Sequence, residues 1–174
     1  MTVRLFAGAL LCATFPFAPL HARQEGPANV RLVFQLIEAD GFTEVDPAIG
    51  EVVDQLQRLF RFQGYRLATT SVLSGAVSDQ TITVSQNLAV SEHVAVQLTA
   101  WLRKSDTPGL VRISVRLTDA NRQTGVNGHW TDGPRILSVS VNVRDAQTVV
   151  LGSARHVLAN AALILVMRAE FDPQ

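Results

Sequence analysis

Residues that commonly carry out catalysis or bind metals are few and widely spaced in this sequence. The chain has one cysteine and four histidines, and His93, His129 and His156 lie far apart. The sequence contains no HxH or HExxH zinc spacing, no glycine-rich phosphate loop and no GxSxG nucleophile turn. Because enzymes of the corresponding classes commonly show such spacings, we predict a protein that is not an enzyme and that needs no cofactor and no metal.

One stretch of the chain is rich in carboxylates. Six acidic residues occur between positions 38 and 54, with no lysine or arginine among them. They are Glu38, Asp40, Glu44, Asp46, Glu51 and Asp54. Clustered oxygen ligands suit calcium, whereas acidic side chains near the start of a helix also stabilise the helix dipole. The sequence leaves both interpretations open.

The candidate binding residues are two tryptophans and their polar neighbours. Residues 127–133 read NGHWTDG, so His129, Trp130 and Asp132 lie on a loop flanked by glycines. Such a loop could form a ligand-binding or partner-binding patch, because aromatic anchors dominate such patches. The alternative is that Trp130 folds over a sheet edge. Trp101, the fourth candidate, shares a predicted strand face with polar residues and either contacts a partner or covers the end of the sheet.

Arginines recur on the polar faces of predicted strands. Arg112, Arg116 and Arg144 alternate with apolar residues, so neighbouring strands would assemble them into a basic stripe. The stripe is either a solvated sheet face or a site for single-stranded nucleic acid. The chain has 15 basic and 15 acidic residues. Because duplex binding needs a basic face, this balance argues against it, and together with the predicted export it predicts no nucleic-acid partner.

Residues 1–22 have the layout of a secretory signal peptide. One basic residue, Arg4, precedes an apolar run, and a cleavage site follows at Leu20-His21-Ala22. The run is shorter than the roughly 20 residues that span a bilayer, so an uncleaved anchor is the weaker alternative. We predict an exported protein, periplasmic or extracellular, with no stable transmembrane segment after cleavage and a short tether at 23–28.

Hydrophobic periodicity predicts a single α+β domain over residues 29–174. Hydrophobic residues form 47% of the chain, which is enough for a folded core. Asp46 and Pro47 begin a predicted helix that ends near Phe62. The longer predicted strands lie at 29–39, 65–73, 94–103, 111–118, 137–143 and 161–169. The predicted fold is one long amphipathic helix packed on a mostly antiparallel sheet of about six or seven strands.

Three statements about strand pairing follow from the order of these segments. Segments 94–103 and 111–118 flank a DTPG turn signal, which predicts an antiparallel hairpin. The strand, helix and strand of the first half permit a parallel pair with a right-handed crossover. Segment 29–39 is apolar on both faces, which predicts a central strand covered on both sides.

The C-terminal part contains a motif that resembles a known family. Residues 139–153 read VSVNVRDAQTVVLGS, and residues 162–171 read ALILVMRAEF. This pattern resembles the core domain of bacterial secretins, the outer-membrane proteins of type II and type III secretion and of pilus systems. In those proteins a strand leads to a D-G-[QE]-T-V-V-L-G-G turn, and a later strand reads E-L-[LI]-I. Ala146 and Ser153 stand where that motif has glycines. The resemblance implies an envelope location and a partner or oligomer built through sheet edges.

Two functions are consistent with these observations. The first is an exported, non-enzymatic envelope protein that acts as a protein-interaction module, accessory to secretion or pilus machinery and capable of self-association. Pairing at a sheet edge is the expected mode of contact. The alternative is a periplasmic small-molecule-binding protein with a pocket between the helix and the sheet.

Overall fold

The computed structural model describes residues 28–120, 124–126, 129–131, 133–156 and 161–172. The predicted signal peptide and all of the predicted tether except Ala28 lie outside the described residues, so both remain predictions.

Sheet A contains the two strands that are apolar on both faces. Its strand order is β2-β1-β10-β9, and every pair is antiparallel. The strands are β1(Ala28–Ala39), β2(Tyr65–Val77), β9(Thr148–His156) and β10(Ala161–Phe171). The register of β1 and β10 runs from Val30 opposite Phe171 to Ala39 opposite Ala162. The prediction that 29–39 forms a central strand is therefore confirmed.

Sheet B consists of strands that alternate between apolar and polar side chains. Its order is β3-β4-β5-β8, again antiparallel throughout. The strands are β3(Ile82–Ser91), β4(Val94–Lys104), β5(Val111–Asp119) and β8(Arg135–Val143). The hairpin predicted for β4 and β5 is confirmed, with Gly109 at a φ of 74° in its turn. A small hairpin of β6(Thr124–Val126) and β7(His129–Thr131) lies between β5 and β8 in the chain.

The two sheets pack face to face around the main core. Inward side chains of β1 and β10, such as Phe34 and Leu165, belong to the same buried cluster as Leu98 and Ile113 of sheet B. The turns at 78–81 and 144–147 each carry the chain from one sheet to the other. Sheet A therefore has one apolar face that sheet B covers, in an arrangement typical of β-sandwiches.

The helical segment covers part of the opposite face of sheet A. A single 3-10 turn, Pro47–Ile49, leads into α1(Gly50–Leu59). Asp46 caps this segment as predicted, because its Oδ1 accepts a hydrogen bond from the Ala48 N–H at 2.9 Å. Apolar side chains of the segment form a second core with sheet A. The members are Ile37, Ala39, Ile49, Val52, Leu56, Tyr65, Ala162, Ile164 and Val166.

The predicted α+β fold, one long helix on one sheet, is wrong. The described residues form two four-stranded antiparallel sheets, and α1 has only 10 residues. It ends at Leu59 rather than Phe62, because Phe60 adopts an extended conformation. The physical reason is coverage: sheets that are apolar on one face must bury it, and one helix of about 15 Å covers only a fraction of β1, which is about 40 Å long. The second sheet supplies the remainder.

The first two strands do not form the parallel pair that their order permits. β1 and β2 are antiparallel neighbours, from Ala28 opposite Val77 to Ala39 opposite Tyr65. A parallel crossover needs a connection that returns along the full length of the first strand. The short helix does not reach that far, so the chain turns back beside β1.

Tyr65 lies in the second core with no exposed surface. Its hydroxyl donates a hydrogen bond to the carbonyl oxygen of Phe60 at 3.2 Å. Burial raises the pKa of the Tyr65 hydroxyl above its ordinary value of 10.0, because the phenolate would lose its solvation. The folded state therefore holds this proton more tightly than the unfolded state does.

We predict that the folded protein releases the Tyr65 proton above pH 10.0 and the denatured protein near pH 10.0. The stability that this group contributes is complete below pH 10 and decreases as the pH rises further. Absorbance titration of tyrosinate measures the effect cleanly, because Tyr65 is the one tyrosine in the chain. Circular dichroism confirms that the protein is folded at each pH. Equal transitions in the two states would contradict the prediction.

The turn between β8 and β9 holds a strained alanine. Ala146 has a φ of 57°, in the left-handed region that favours glycine. The Asp145 Oδ1 atom fixes the turn, since it accepts hydrogen bonds from the Ala146 N–H at 2.8 Å and the Phe171 N–H at 2.7 Å. Ala146 is one of the two positions at which the secretin motif has glycine. The local backbone thus has the conformation for which that glycine is suited.

Replacing Ala146 by glycine should stabilise the protein. Removing a left-handed alanine relieves about 1–2 kcal/mol, and the extra freedom of glycine in the unfolded chain offsets about 0.4–1 kcal/mol of this. Chemical denaturation should show Ala146→Gly to be more stable by up to about 1.6 kcal/mol. The control Ala154→Gly, within β9, should destabilise by about 0.5–1 kcal/mol. If both variants lost the same amount of stability, the inference that Ala146 is strained would be contradicted.

Candidate functional site

The outer face of sheet B is the most distinctive polar surface of the described residues. Alternation points the following side chains away from the core: Thr83, Ser85, Asn87, Ala89, Ala95, Gln97, Thr99, Trp101, Arg103, Arg112, Ser114, Arg116, Ser138, Ser140 and Asn142. We call this surface the outer face of sheet B. It carries arginines, hydroxyls and amides, and none of these residues is acidic.

Trp101 lies near the centre of this face and is half-buried. The guanidinium carbon of Arg116 lies 4.9 Å from the centroid of the Trp101 ring. A cation over an aromatic ring at such a distance is attracted by about 0.5–1 kcal/mol at an exposed site. Ser114 lies opposite Trp101 in the register, and its hydroxyl is 2.8 Å from that of Ser140. The sequence correctly placed Trp101 on a polar strand face.

Two further arginines lie directly opposite each other on the same face. Arg103 of β4 pairs in register with Arg112 of β5, and Asn142 of β8 is the next residue across. Both arginines are exposed, and neither forms an ion pair within the described part of the chain. Like charges directly opposite each other destabilise a strand pair. The arrangement therefore brings together positive charge that the fold itself does not neutralise.

The predicted basic stripe is partly present. Arg112 and Arg116 share the outer face of sheet B, whereas Arg144 lies beyond β8 in the turn to β9. Arg103 was not included in the predicted stripe. The DTPG turn was the signal that could have found it, because hairpin length fixes which residues of β4 and β5 face each other.

Nothing in the described part of the chain tests the other three candidate binding residues. His129 and Trp130 belong to β7 of the small hairpin, where their backbone is described and their side chains are not. Asp132 lies outside the described residues. The base of the segment is closed by a hydrogen bond from the Asp119 N–H to the carbonyl oxygen of Pro134 at 3.0 Å. A binding role for these residues remains a prediction.

The acidic stretch is divided among structural contacts. Glu38 is buried and bound by the Arg66 guanidinium, whose Nε lies 3.1 Å from Glu38 Oε2. Asp40 pairs with Arg155 at 2.7 Å. Asp46 accepts hydrogen bonds from backbone N–H groups. Among the described residues, no three histidine, cysteine, aspartate or glutamate side chains are grouped as metal ligands. The contacts thus give Glu38, Asp40 and Asp46 structural roles.

Two hollows bear on the small-molecule hypothesis. The hollow between α1 and sheet A has a volume of about 200 Å³ and is lined by Glu51, Gln35 and Arg168, among others. Ligand sites are commonly about 300–1,000 Å³, so this hollow is small. A hollow of about 370 Å³ lies under the 41–47 loop. The Arg66 side chain there already pairs with Glu38 and stacks on Phe42.

Strand β3 forms an open edge of sheet B. It pairs with β4 on one side and with no described strand on the other. Its sequence, ITVSQNLAVS, contains neither a charge nor a proline. Each of the other three edge strands contains an arginine: Arg66 in β2, Arg135 in β8 and Arg155 in β9. Because charges and prolines normally protect edges, β3 is the least protected one.

Comparisons with known proteins gave two structural neighbours. No family model and no curated protein matches the chain. A cryo-EM structure of the Salmonella SPI-1 type III secretion injectisome secretin InvG is similar to 85% of this chain, at 12% identity and a TM-score of 0.40. An atomic model of the Salmonella basal body proteins InvG, PrgH and PrgK gives the same three values. The chain spans 66% and 47% of those chains, less than two thirds of each.

None of the described helices has the length and hydropathy that a membrane-spanning helix requires.

Proposed function

We propose that this protein is exported and acts in the periplasm or outside the cell as a non-enzymatic protein-interaction module. Its partner adds a strand to the open edge of β3. Secretion or pilus machinery is the candidate source of that partner, on the strength of the secretin-like motif around Asp145. The predicted signal peptide at 1–22 supports the location.

The open edge of β3 is the observation that carries this proposal. Ten residues of extended backbone supply hydrogen-bonding groups along a sheet edge, which is the template that strand addition uses. The edge is also held in place. The Ser71 hydroxyl of β2 donates a hydrogen bond to Gln86 Oε1 at 2.6 Å, and this bond links the two edge strands on the core side. A rigid edge loses little conformational entropy when a partner strand binds.

Lysines placed on β3 should prevent partner binding. In the double variant Asn87→Lys with Ala89→Lys, two exposed positions of the edge strand gain a charge. Recovery of the partner should fall at least about tenfold, equivalent to about 1.4 kcal/mol of binding free energy. The measurement is cross-linked affinity purification of the tagged full chain from its own cells, with quantitative mass spectrometry of the partners and of the protein's N-terminus.

A matched control distinguishes an effect at the β3 edge from an effect of added charge on the face of sheet B. Gln97→Lys with Ala95→Lys adds the same charges to the direct cross-strand neighbours in β4, which is not an edge strand. This control should retain the partner. Equal recovery with both variants would contradict strand addition, and a cytoplasmic chain that keeps Met1 would contradict export. If the captured partner is a second copy of the chain and is lost in the β3 variant, strand addition stands with self-association as its form.

A further inference from the structure

We propose that the outer face of sheet B binds an acidic glycan, a sugar chain that carries carboxylate groups. The site is centred on Arg103 and Arg112, with Trp101 and Ser114 in the adjoining row. The proposal is independent of the β3 edge, since these four residues lie on the two central strands of sheet B.

The side chains on this face form rows that run across the strands. Arg103, Arg112 and Asn142 make the first row, and the second consists of Trp101, Ser114 and Ser140. Neighbouring strands are about 4.8 Å apart, so each row offers regularly spaced polar groups to an extended chain. The first row provides charge and an amide, and the second provides hydroxyls and an aromatic ring. Carboxylates, hydroxyls and the apolar faces of sugar rings match these groups.

The opposed arginines indicate that the bound group is anionic. Arg103 and Arg112 face each other across β4 and β5, where their mutual repulsion disfavours the fold. An anion between them relieves that repulsion, and the planar guanidinium groups match a carboxylate in geometry. Arginines that only protect a sheet from aggregation belong on edge strands, whereas these occupy central strands. Asp106, in the turn after β4, is the nearest described acidic residue along the chain.

The composition of the face favours a glycan over a protein or a membrane. Protein interfaces have an apolar core, and membrane surfaces are bound through exposed apolar side chains. The exposed large hydrophobic residues among those described are Leu59 and Val72, neither of which lies on this face. Trp101 is its one aromatic residue, and the remaining side chains on the face are polar apart from Ala89 and Ala95.

Calorimetric titration of the purified protein with oligogalacturonate tests the proposal. The matched neutral probe is the same oligosaccharide with its carboxylates methyl-esterified. A glutamate-rich peptide and a thymidine oligonucleotide of equal charge represent the other polyanions. We expect the acidic glycan to bind at least about tenfold more tightly than each of these three probes, and added salt to weaken binding.

Two variants locate the site. Arg103→Gln with Arg112→Gln should weaken glycan binding at least about tenfold, because charge-assisted hydrogen bonds are lost. The same variant should unfold at an equal or higher temperature, since it removes the cross-strand repulsion. Arg58→Gln with Arg61→Gln makes the same change in net charge at exposed positions outside sheet B, and binding should stay within about twofold of wild type.

Each of the following outcomes would overturn the proposal. Absence of heat at millimolar glycan, or equal affinity for the esterified probe, would remove the acidic glycan as ligand. Equal affinity for the peptide or the oligonucleotide would reduce the face to a general anion binder. An unchanged affinity in the Arg103 and Arg112 variant would place any binding elsewhere on the molecule.

Discussion

Strands β1 and β10 are apolar on both faces over part of their length, and the rest of the fold depends on burying those apolar surfaces. Sheet B covers one of them. On the other, the side chains of β1 change from Arg31, Val33 and Gln35 to Ile37 and Ala39, and the helical segment packs only on the second group. The uncovered part carries ion pairs instead, among them one between Arg31 and Glu170 at 3.0 Å. The helical segment thus covers this face of sheet A only where the side chains of β1 are apolar.

Local features of the fold could be predicted from the sequence because they depend on neighbouring residues. The cap at Asp46, the central position of β1 and the β4–β5 hairpin follow from capping chemistry, periodicity and turn residues. The two-sheet architecture could not be predicted in this way. The turns at 78–81 and 144–147 contain the same residue types as a hairpin turn, yet each joins different sheets. Only packing between strands distant in sequence distinguishes the two cases.

The same distinction applies to the candidate site. Alternation predicted that Trp101 and Arg116 lie on polar strand faces, but their stacking depends on the register of β4 and β5. Register also makes Arg103 the neighbour of Arg112, which no property of either strand alone reveals. Predicting the open edge of β3 requires the pairing of the whole sheet, since an uncharged strand is an edge only if no other strand pairs with it. Surface functions of a sheet are thus harder to predict than its core.

The pairing of β1 with β10 has a consequence for the order of folding. These strands are neighbours in sheet A, yet they are the first and the last of the described strands along the chain. The backbone N–H of Asp172 even bonds to the carbonyl oxygen of Asn29 at 3.0 Å. Contacts of such long sequence separation form slowly, and the main core lacks a central strand until β10 has been synthesised. A nascent chain with this topology therefore completes sheet A only after nearly all of the described residues have been synthesised.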